Sequence, residues 1–234
     1  VDRGWRWTQN LVLLLCGTLV LRAVLPLAAV GAAGLAREAG WGVFNALAAP
    51  PALVWIACLL ALDFAVWLQH RLFHHLPWLW RLHRVHHADL DFDLTTGLRF
   101  HPLELLVSML WKIAVVLALG APPAVVLAFE VLLNATALFS HANLRLPVRL
   151  DALLRSVLVT PDMHRVHHSS EPSETDRNFG FALPWWDRLA GTYLAQPRLG
   201  HAAMAIGLRE FRDARAQRVD RLLLQPFVEP RGGR

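Results

Sequence analysis

The sequence predicts an all-α integral membrane protein with about four transmembrane helices. Of its 234 residues, 55% are hydrophobic, and the mean hydropathy of +0.37 is high for a soluble domain. Four apolar segments each approach the ~20 residues that a helix needs to cross the hydrocarbon core. The length suits a single domain spanning residues 1–234.

The first apolar segment extends from about residue 10 to residue 36. Because Arg22 and Pro26 interrupt it, it can form either one tilted span or a broken one. It is longer than the roughly 7–15-residue apolar core of a signal peptide, and no convincing small-residue cleavage site precedes Trp41. We therefore expect it to be retained as a membrane segment.

The remaining segments predict one long helix and one hairpin. The second, at about 52–68, carries Asp63 near its end, where an ionisable group must find a partner or approach the interface. The third and fourth, at about 102–119 and 122–139, are joined by the uncharged turn "GAPP", whose prolines suit a helix start. They predict a tight transmembrane hairpin.

Arginine distribution predicts the orientation. Arginines precede the first segment, lie between the second and third, and follow the fourth, whereas the connections at 37–51 and 119–123 are nearly uncharged. With four crossings, every Arg-rich part falls on one face with both termini, and the positive-inside rule makes this basic cap cytoplasmic. Nucleic acid is a poor partner, because no aromatic-basic stripe is present. Cys16 and Cys58 form no metal or redox motif.

The same topology places a set of histidines on the cytoplasmic face. The set is His70, His74, His83, His86, His87, His141, His164, His167 and His168. The first two continue the second helix at i, i+4 spacing, the next three follow it in a loop, and "HRVHH" occurs twice, at 83–87 and 164–168. Many protonated rings would repel, whereas neutral imidazole ligates Zn, Fe, Cu and Ni. Nine nitrogens exceed one tetrahedral site, so we infer two metals in two similar half-sites.

Several motifs together resemble the fatty acid hydroxylase/sterol desaturase superfamily of integral-membrane di-iron enzymes. They are the order H-x3-H, H-x2-H-H, H-x2-H-H, with "LRFHPLE" at 98–104, "SHANLRLP" at 140–147, "VTPDMHRVHHS" at 159–169 and "WWDRLAGTY" at 185–193. The resemblance covers roughly residues 60–195. It implies a helical cytoplasmic cap that holds two iron ions and uses O2 to hydroxylate or desaturate a lipid or sterol-like substrate taken from the bilayer, here in a bacterial inner membrane.

The resemblance also assigns residues. The eight histidines of the three boxes match the family's ligand positions, and His141 matches the additional histidine before the last box. Some relatives carry a further histidine where this chain has Ala137, so a tenth ligand stays unassigned. His75 lies about 100° round the helix from His74 and is excluded. Candidates for supporting hydrogen bonds are His101, Asn143 and, as first choice, Asp162, with Asp89, Asp91, Asp93 and Asp176 as further carboxylates.

Electrons must come from a separate partner, because the sequence has no nucleotide-binding glycine loop, haem motif or ferredoxin cysteine set. A ferredoxin, rubredoxin or cytochrome-type donor is implied. Candidates for its docking surface are Arg81, Arg84, Arg155, Arg165 and Arg177. The tryptophans that flank the boxes are interpreted as membrane-interface anchors in preference to substrate contacts, and they are Trp67, Trp78, Trp80, Trp185 and Trp186.

Two other functions stay open. A metal-handling membrane protein or transporter would also concentrate histidines, but it would place ionisable ligands near the bilayer midplane, where only Asp63 and Glu130 are candidates. A metal-dependent membrane hydrolase lacks its usual H-E-x-x-H motif here. The polar tail at 196–234 predicts a charged amphipathic helix over 208–227.

Overall fold

A computed structural model describes residues 2–229, and every regular element in that range is helical. The helices are α1 (Arg3–Val24), α2 (Ala28–Ala39), α3 (Val43–Ala46), α4 (Pro51–His75), α5 (Pro77–His87), α6 (Pro102–Leu119), α7 (Pro123–Ser140), α8 (Val148–Leu154), α9 (Pro161–His167), α10 (Pro172–Thr175), α11 (Trp185–Leu189) and α12 (Val219–Leu224). Short 3-10 turns cover Thr96–Leu98 and Gln225–Phe227. The predicted all-α class is confirmed.

Four stretches are long and apolar enough to cross a membrane, as the sequence predicts. They are Arg3–Ala46, Pro51–His75, Pro102–Leu119 and Pro123–Ser140. Their outer faces carry large apolar side chains, among them Leu19, Ile56 and Val131, which are 59–63% exposed. Apolar surface on this scale is costly in water and favourable against lipid. The chain is an integral membrane protein.

The first span is broken, which was one of the two predicted forms. Helix α1 ends at Val24 and α2 begins at Ala28, with Pro26 between them, and both helices pack against α6. Leu13, in the first half of α1, packs instead with Val85 and Leu222 outside the spans. The N-terminal half of α1 therefore belongs to the cap.

Helix α5 corrects the prediction of a loop after the second span. Helix α4 ends at His75 and α5 begins at Pro77, where the missing backbone N–H is tolerated in a first helical turn. Leu79 and Leu82 recur at helical spacing and bury against Phe73 of α4. Packing of this apolar edge explains why 77–87 folds as a helix.

Helices α6 and α7 form the predicted tight hairpin. Gly120 ends α6 in a left-handed conformation at φ +64°. The Gly120 backbone lies against Gly42, because a Cβ atom added to Gly42 would come within 2.1 Å of the Gly120 nitrogen. The turns at 40–42 and 120–122 thus lie together at one end of the bundle. Within the hairpin, Lys112 donates to Glu130 at 2.8 Å, and this pairing satisfies two charges inside a span.

The tail is less helical than predicted. Only Val219–Leu224 forms an α-helix within 208–227, so the prediction of one long helix is wrong. The Gln217 side chain is buried, where it donates to the Ala88 carbonyl and accepts from Arg99, and these bonds hold an irregular backbone. Because this tail packs on the cap, we propose that residues 1–234 form one domain.

Candidate metal centre

The nine predicted histidines gather in two buried groups. The first group is His70, His74, His83, His87 and His167, and the second is His86, His141, His164 and His168. Within each group, one ring nitrogen per residue lies within 4.8 Å of the others. All nine residues are at most 4% exposed. The structure thus brings together every histidine proposed as a ligand, and their ligation of metal stays a prediction.

The two "HRVHH" words are interleaved between the groups. In each word the i, i+4 pair enters one group, and the i+3 histidine, His86 or His167, enters the other. Each word therefore contributes histidines to both groups. Neighbouring positions point about 100° apart on a helix, so the i+3 and i+4 rings diverge. Helices α5 and α9 each therefore present rings to both groups.

Backbone and carboxylate acceptors fix the ring orientation in the first group. His70 Nδ1 lies 2.8 Å from the Phe179 carbonyl oxygen, and His167 Nδ1 lies 2.7 Å from that of Arg177. His83 Nδ1 lies 2.6 Å from Glu104 Oε1. Carbonyl oxygens only accept, so Nδ1 of His70 and of His167 carries the hydrogen, and Nε2 of each of these neutral rings is a bare lone pair. An ionised Glu104 would orient His83 in the same way.

These Nε2 atoms face one another at distances that suit a shared cation. His70 Nε2 lies 3.0 Å from Nε2 of His83 and 3.0 Å from Nε2 of His167. Two acceptors at this distance repel, whereas a metal bound at about 2.1 Å from each nitrogen would place neighbouring ligands ~3 Å apart. His74 and His87 add buried Nε2 atoms with no partner among the described residues. The first group fits a divalent transition metal.

The second group also consists of imidazoles, but fewer of its rings are oriented by hydrogen bonds. His141 Nδ1 donates to the Ala137 carbonyl at 2.7 Å, and its Nε2 lies 3.1 Å from His164 Nε2 and 3.3 Å from His86 Nε2. His86 Nε2 is 3.1 Å from His168 Nε2. Nδ1 of His86 and of His164 is buried with no hydrogen-bond partner in residues 2–229. This group also fits a metal, with fewer rings held by fixed acceptors.

Burial keeps the rings outside the spans neutral. It lowers the pKa of His83 to about 3 and that of His141 to about 4. Burial, and then the neighbouring imidazoles, hold the pKa well below the usual value for His86, His87, His164, His167 and His168. Neutral imidazoles are the form that binds metal.

The three residues predicted to support the ligands have other partners. Asp162 lies 3.5 Å from the Arg165 guanidinium, and the exposed Asn143 accepts from Arg165 at 3.0 Å. His101 accepts from the backbone N–H of Leu103 and contacts the tail through its other nitrogen. In the described range, none of these bonds reaches the nine histidines. Asp162 does not contact the His164 ring, because a residue two positions earlier on α9 points about 200° away from it around the helix.

The actual acceptors were mostly beyond sequence reasoning. Glu104 was missed, although it lies in the "LRFHPLE" stretch that carried the resemblance. Asp176, one of the further carboxylates, accepts from His74 at 3.2 Å. The backbone carbonyls of Arg177 and Phe179 have no sequence signal, because every residue carries one.

Two tryptophans interpreted as interface anchors are instead paired with buried aspartates. Trp67 is 4% exposed and donates its indole N–H to Asp187 at 3.1 Å. In the opposite direction, from α11 to α4, Trp186 donates its indole N–H to Asp63 at 2.7 Å, and this bond gives Asp63 its predicted partner. The two bonds tie α4 to α11. Trp185 is 40% exposed and still fits an anchor.

The sequence model of the fatty acid hydroxylase family matches residues 55–192. The alkylglycerol monooxygenase of Homo sapiens is 33% identical over 142 residues, which are 61% of this chain and 31% of that protein. The ornithine lipid hydroxylase of Rhizobium tropici is 31% identical over 179 residues, 76% of this chain and 51% of that protein. No solved structure gives a significant match. The chain spans about a third to a half of these curated relatives.

Proposed function

This chain belongs to the fatty acid hydroxylase family, and on that basis we propose that it is a membrane-bound di-iron oxygenase that hydroxylates, or alternatively desaturates, a lipid or sterol-like substrate. The observation that carries the proposal is the convergence of imidazole Nε2 atoms at 3.0–3.3 Å in two buried groups beside apolar helices. Both relatives are named as oxygen-inserting enzymes, a monooxygenase and a hydroxylase. Hydroxylation is therefore placed before desaturation, and a metal transporter or a hydrolase is not favoured.

The two histidine groups would hold one iron each, and O2 would be the co-substrate. When bound, such a pair of irons supplies an oxidant for an unactivated C–H bond, which no common side chain can supply. The chain's own contribution is to keep the imidazoles neutral, to direct the Nε2 atoms of each group toward the position of its metal, and to exclude bulk water from the site. The 0–4% exposure of all nine rings supports that role.

The bilayer would deliver the substrate. His70 and His74 lie in the last turns of α4, and His141 caps α7, so part of each group sits directly at the end of an apolar span. An acyl or sterol-like molecule dissolved among those helices would reach the metals without leaving the membrane. The names of the two relatives specify lipids, an alkylglycerol and an ornithine lipid.

Mass spectrometry of lipid extracts tests the proposed reaction. Cells that express the full chain should accumulate a lipid heavier by one oxygen than the corresponding lipid in cells without it. A lipid lighter by two hydrogens would instead identify the desaturase alternative. If iron-loaded, folded protein supplied with a reductant changes no lipid, the proposed function is wrong.

Reduction of O2 requires electrons, and we propose a separate ferredoxin, rubredoxin or cytochrome-type donor. The docking surface predicted for it needs correction. Arg84 and Arg155 are only 4–5% exposed, since Arg84 donates to carbonyls of the tail and Arg155 donates to the Ala195 carbonyl at 2.6 Å. Buried guanidinium groups cannot contact a partner protein, so these two arginines are removed from the docking surface. The proposed surface keeps Arg81, Arg165 and Arg177, which are not among the buried residues.

We further propose that the histidine-rich cap and both termini face the cytoplasm of a bacterial inner membrane. The arginine-poor turns at 40–42 and 120–122 lie together at the opposite end of the bundle, in agreement with the positive-inside rule. A reporter fused after the last residue should give a cytoplasmic signal, and one inserted at 120–122 should give a periplasmic signal. The reverse pair of signals would contradict the orientation.

A further inference from the structure

Three rings of the first histidine group take their Nδ1 acceptor from one short segment. Asp176 accepts from His74 at 3.2 Å, Arg177 from His167 at 2.7 Å, and Phe179 from His70 at 2.8 Å. We name residues 176–179 the collar. Two of these acceptors are backbone carbonyls and the third is the Asp176 carboxylate, so the directions of three imidazoles depend on the placement of one four-residue segment.

The collar has no regular secondary structure and depends on side-chain bonds. Asn178 adopts φ +54°, which is uncommon for a residue other than glycine. Its buried amide donates to the carbonyls of Met163 at 2.9 Å and Leu194 at 2.8 Å, and its oxygen accepts from the Leu194 N–H at 2.8 Å. These bonds hold the turn that aims the Phe179 carbonyl at His70.

Asp187 holds the other end of the collar. Its fully buried carboxylate accepts from the backbone N–H of Phe179 at 3.0 Å and of Gly180 at 2.8 Å. It also accepts from Thr192 Oγ1 at 2.6 Å and from Trp67 Nε1 at 3.1 Å. Trp67 lies one turn before His70 on α4. Asp187 therefore links the collar directly to the helix that carries two of the first group's rings.

From these contacts we propose that Asp187 is a positioning residue, which sets the first histidine group for metal through the collar backbone. The proposal rests on the proposed metal function. Asp63 provides an internal contrast, because it accepts from Trp186 in the same α4–α11 contact but has no hydrogen bond to residues 176–180 in the described range. If Asp187 only fastened α11 to α4, its replacement would change stability and not metal affinity, as we expect for Asp63.

Cobalt(II) titration of the purified, metal-stripped full chain tests the proposal. Wild type should bind two Co²⁺ ions, seen by ligand-field absorption. Asp187→Asn keeps the side-chain shape but turns one acceptor oxygen into a donor facing backbone N–H groups. We expect one Co²⁺ to bind about 10- to 100-fold more weakly, with an altered spectrum, and the other unchanged. Asp63→Asn alters the other aspartate of the same α4–α11 contact and should keep both affinities.

Several outcomes would decide against the role. Asp187→Asn with two wild-type affinities and spectra, or Asp63→Asn with the same single-site weakening, would overturn it. If Asp187→Asn does not fold, Thr192→Val removes one donor to the same carboxylate, and the same single-site weakening is expected; wild-type affinities at both sites would overturn the proposal. Failure of wild type to bind two ions would instead count against the proposed function itself.

Discussion

His70→Ala is expected to abolish lipid oxidation and to reduce the iron content of the purified chain from about two atoms to about one. His70 is the central ring of the first group, since its Nε2 lies 3.0 Å from Nε2 of both His83 and His167. Removing it leaves an open coordination position and takes away the ring that the Phe179 carbonyl orients. Iron content by elemental analysis and product formation by mass spectrometry measure the two effects.

His75→Ala is the matched control. His75 follows the first box on the same helix, is exposed, and contacts the Arg71 carbonyl of its own helix at 2.8 Å. We expect this variant to keep about two irons and full activity. Unchanged iron and activity in His70→Ala would remove His70 from the ligand set. Lost activity with both irons retained would assign it a role other than ligation.

The membrane spans were the most predictable part of the fold. The hairpin is bounded by residues with strong local preferences, because Pro102 and Pro123 occupy first turns and Gly120 accepts a left-handed conformation. Between them, nearly uninterrupted apolar runs leave few alternatives in a bilayer. The ion pair of Lys112 was not predicted, because its partner, Glu130, lies on the other helix of the hairpin.

The histidines were predictable as a set but not in their arrangement. Their number and spacing indicate metal ligands, yet the assignment of His86 and His167 to the opposite group depends on how α5 and α9 face each other. The acceptors that orient the rings depend on long-range packing. Trp67 and Asp187 are 120 positions apart, and no local pattern relates them.

Charge pairs in the cap were also set by long-range packing that the sequence does not reveal. The sequence indicated Asp89 and Asp93 as possible partners of the histidines, because they lie close to the second box. In the structure both carboxylates pair with Arg6 of α1, at 2.7 Å for Asp89. Arg6, which the sequence indicated only as cytoplasmic positive charge, is thus a buried link between the first helix and the segment that follows His87.

Arg6→Ala is expected to lower the free energy of unfolding by about 3 kcal/mol, because breaking a buried ion pair leaves an uncompensated charge. Arg6 is 3% and Asp89 1% exposed, and within residues 2–229 the variant keeps only Arg99, at 3.8 Å, as a cation paired with Asp89. Equilibrium unfolding in mixed micelles would measure the loss. The exposed Arg3 gives the control, since Arg3→Ala should change stability by no more than about 0.5 kcal/mol. Equal stabilities of the two variants would show that the Arg6 pairs contribute nothing net.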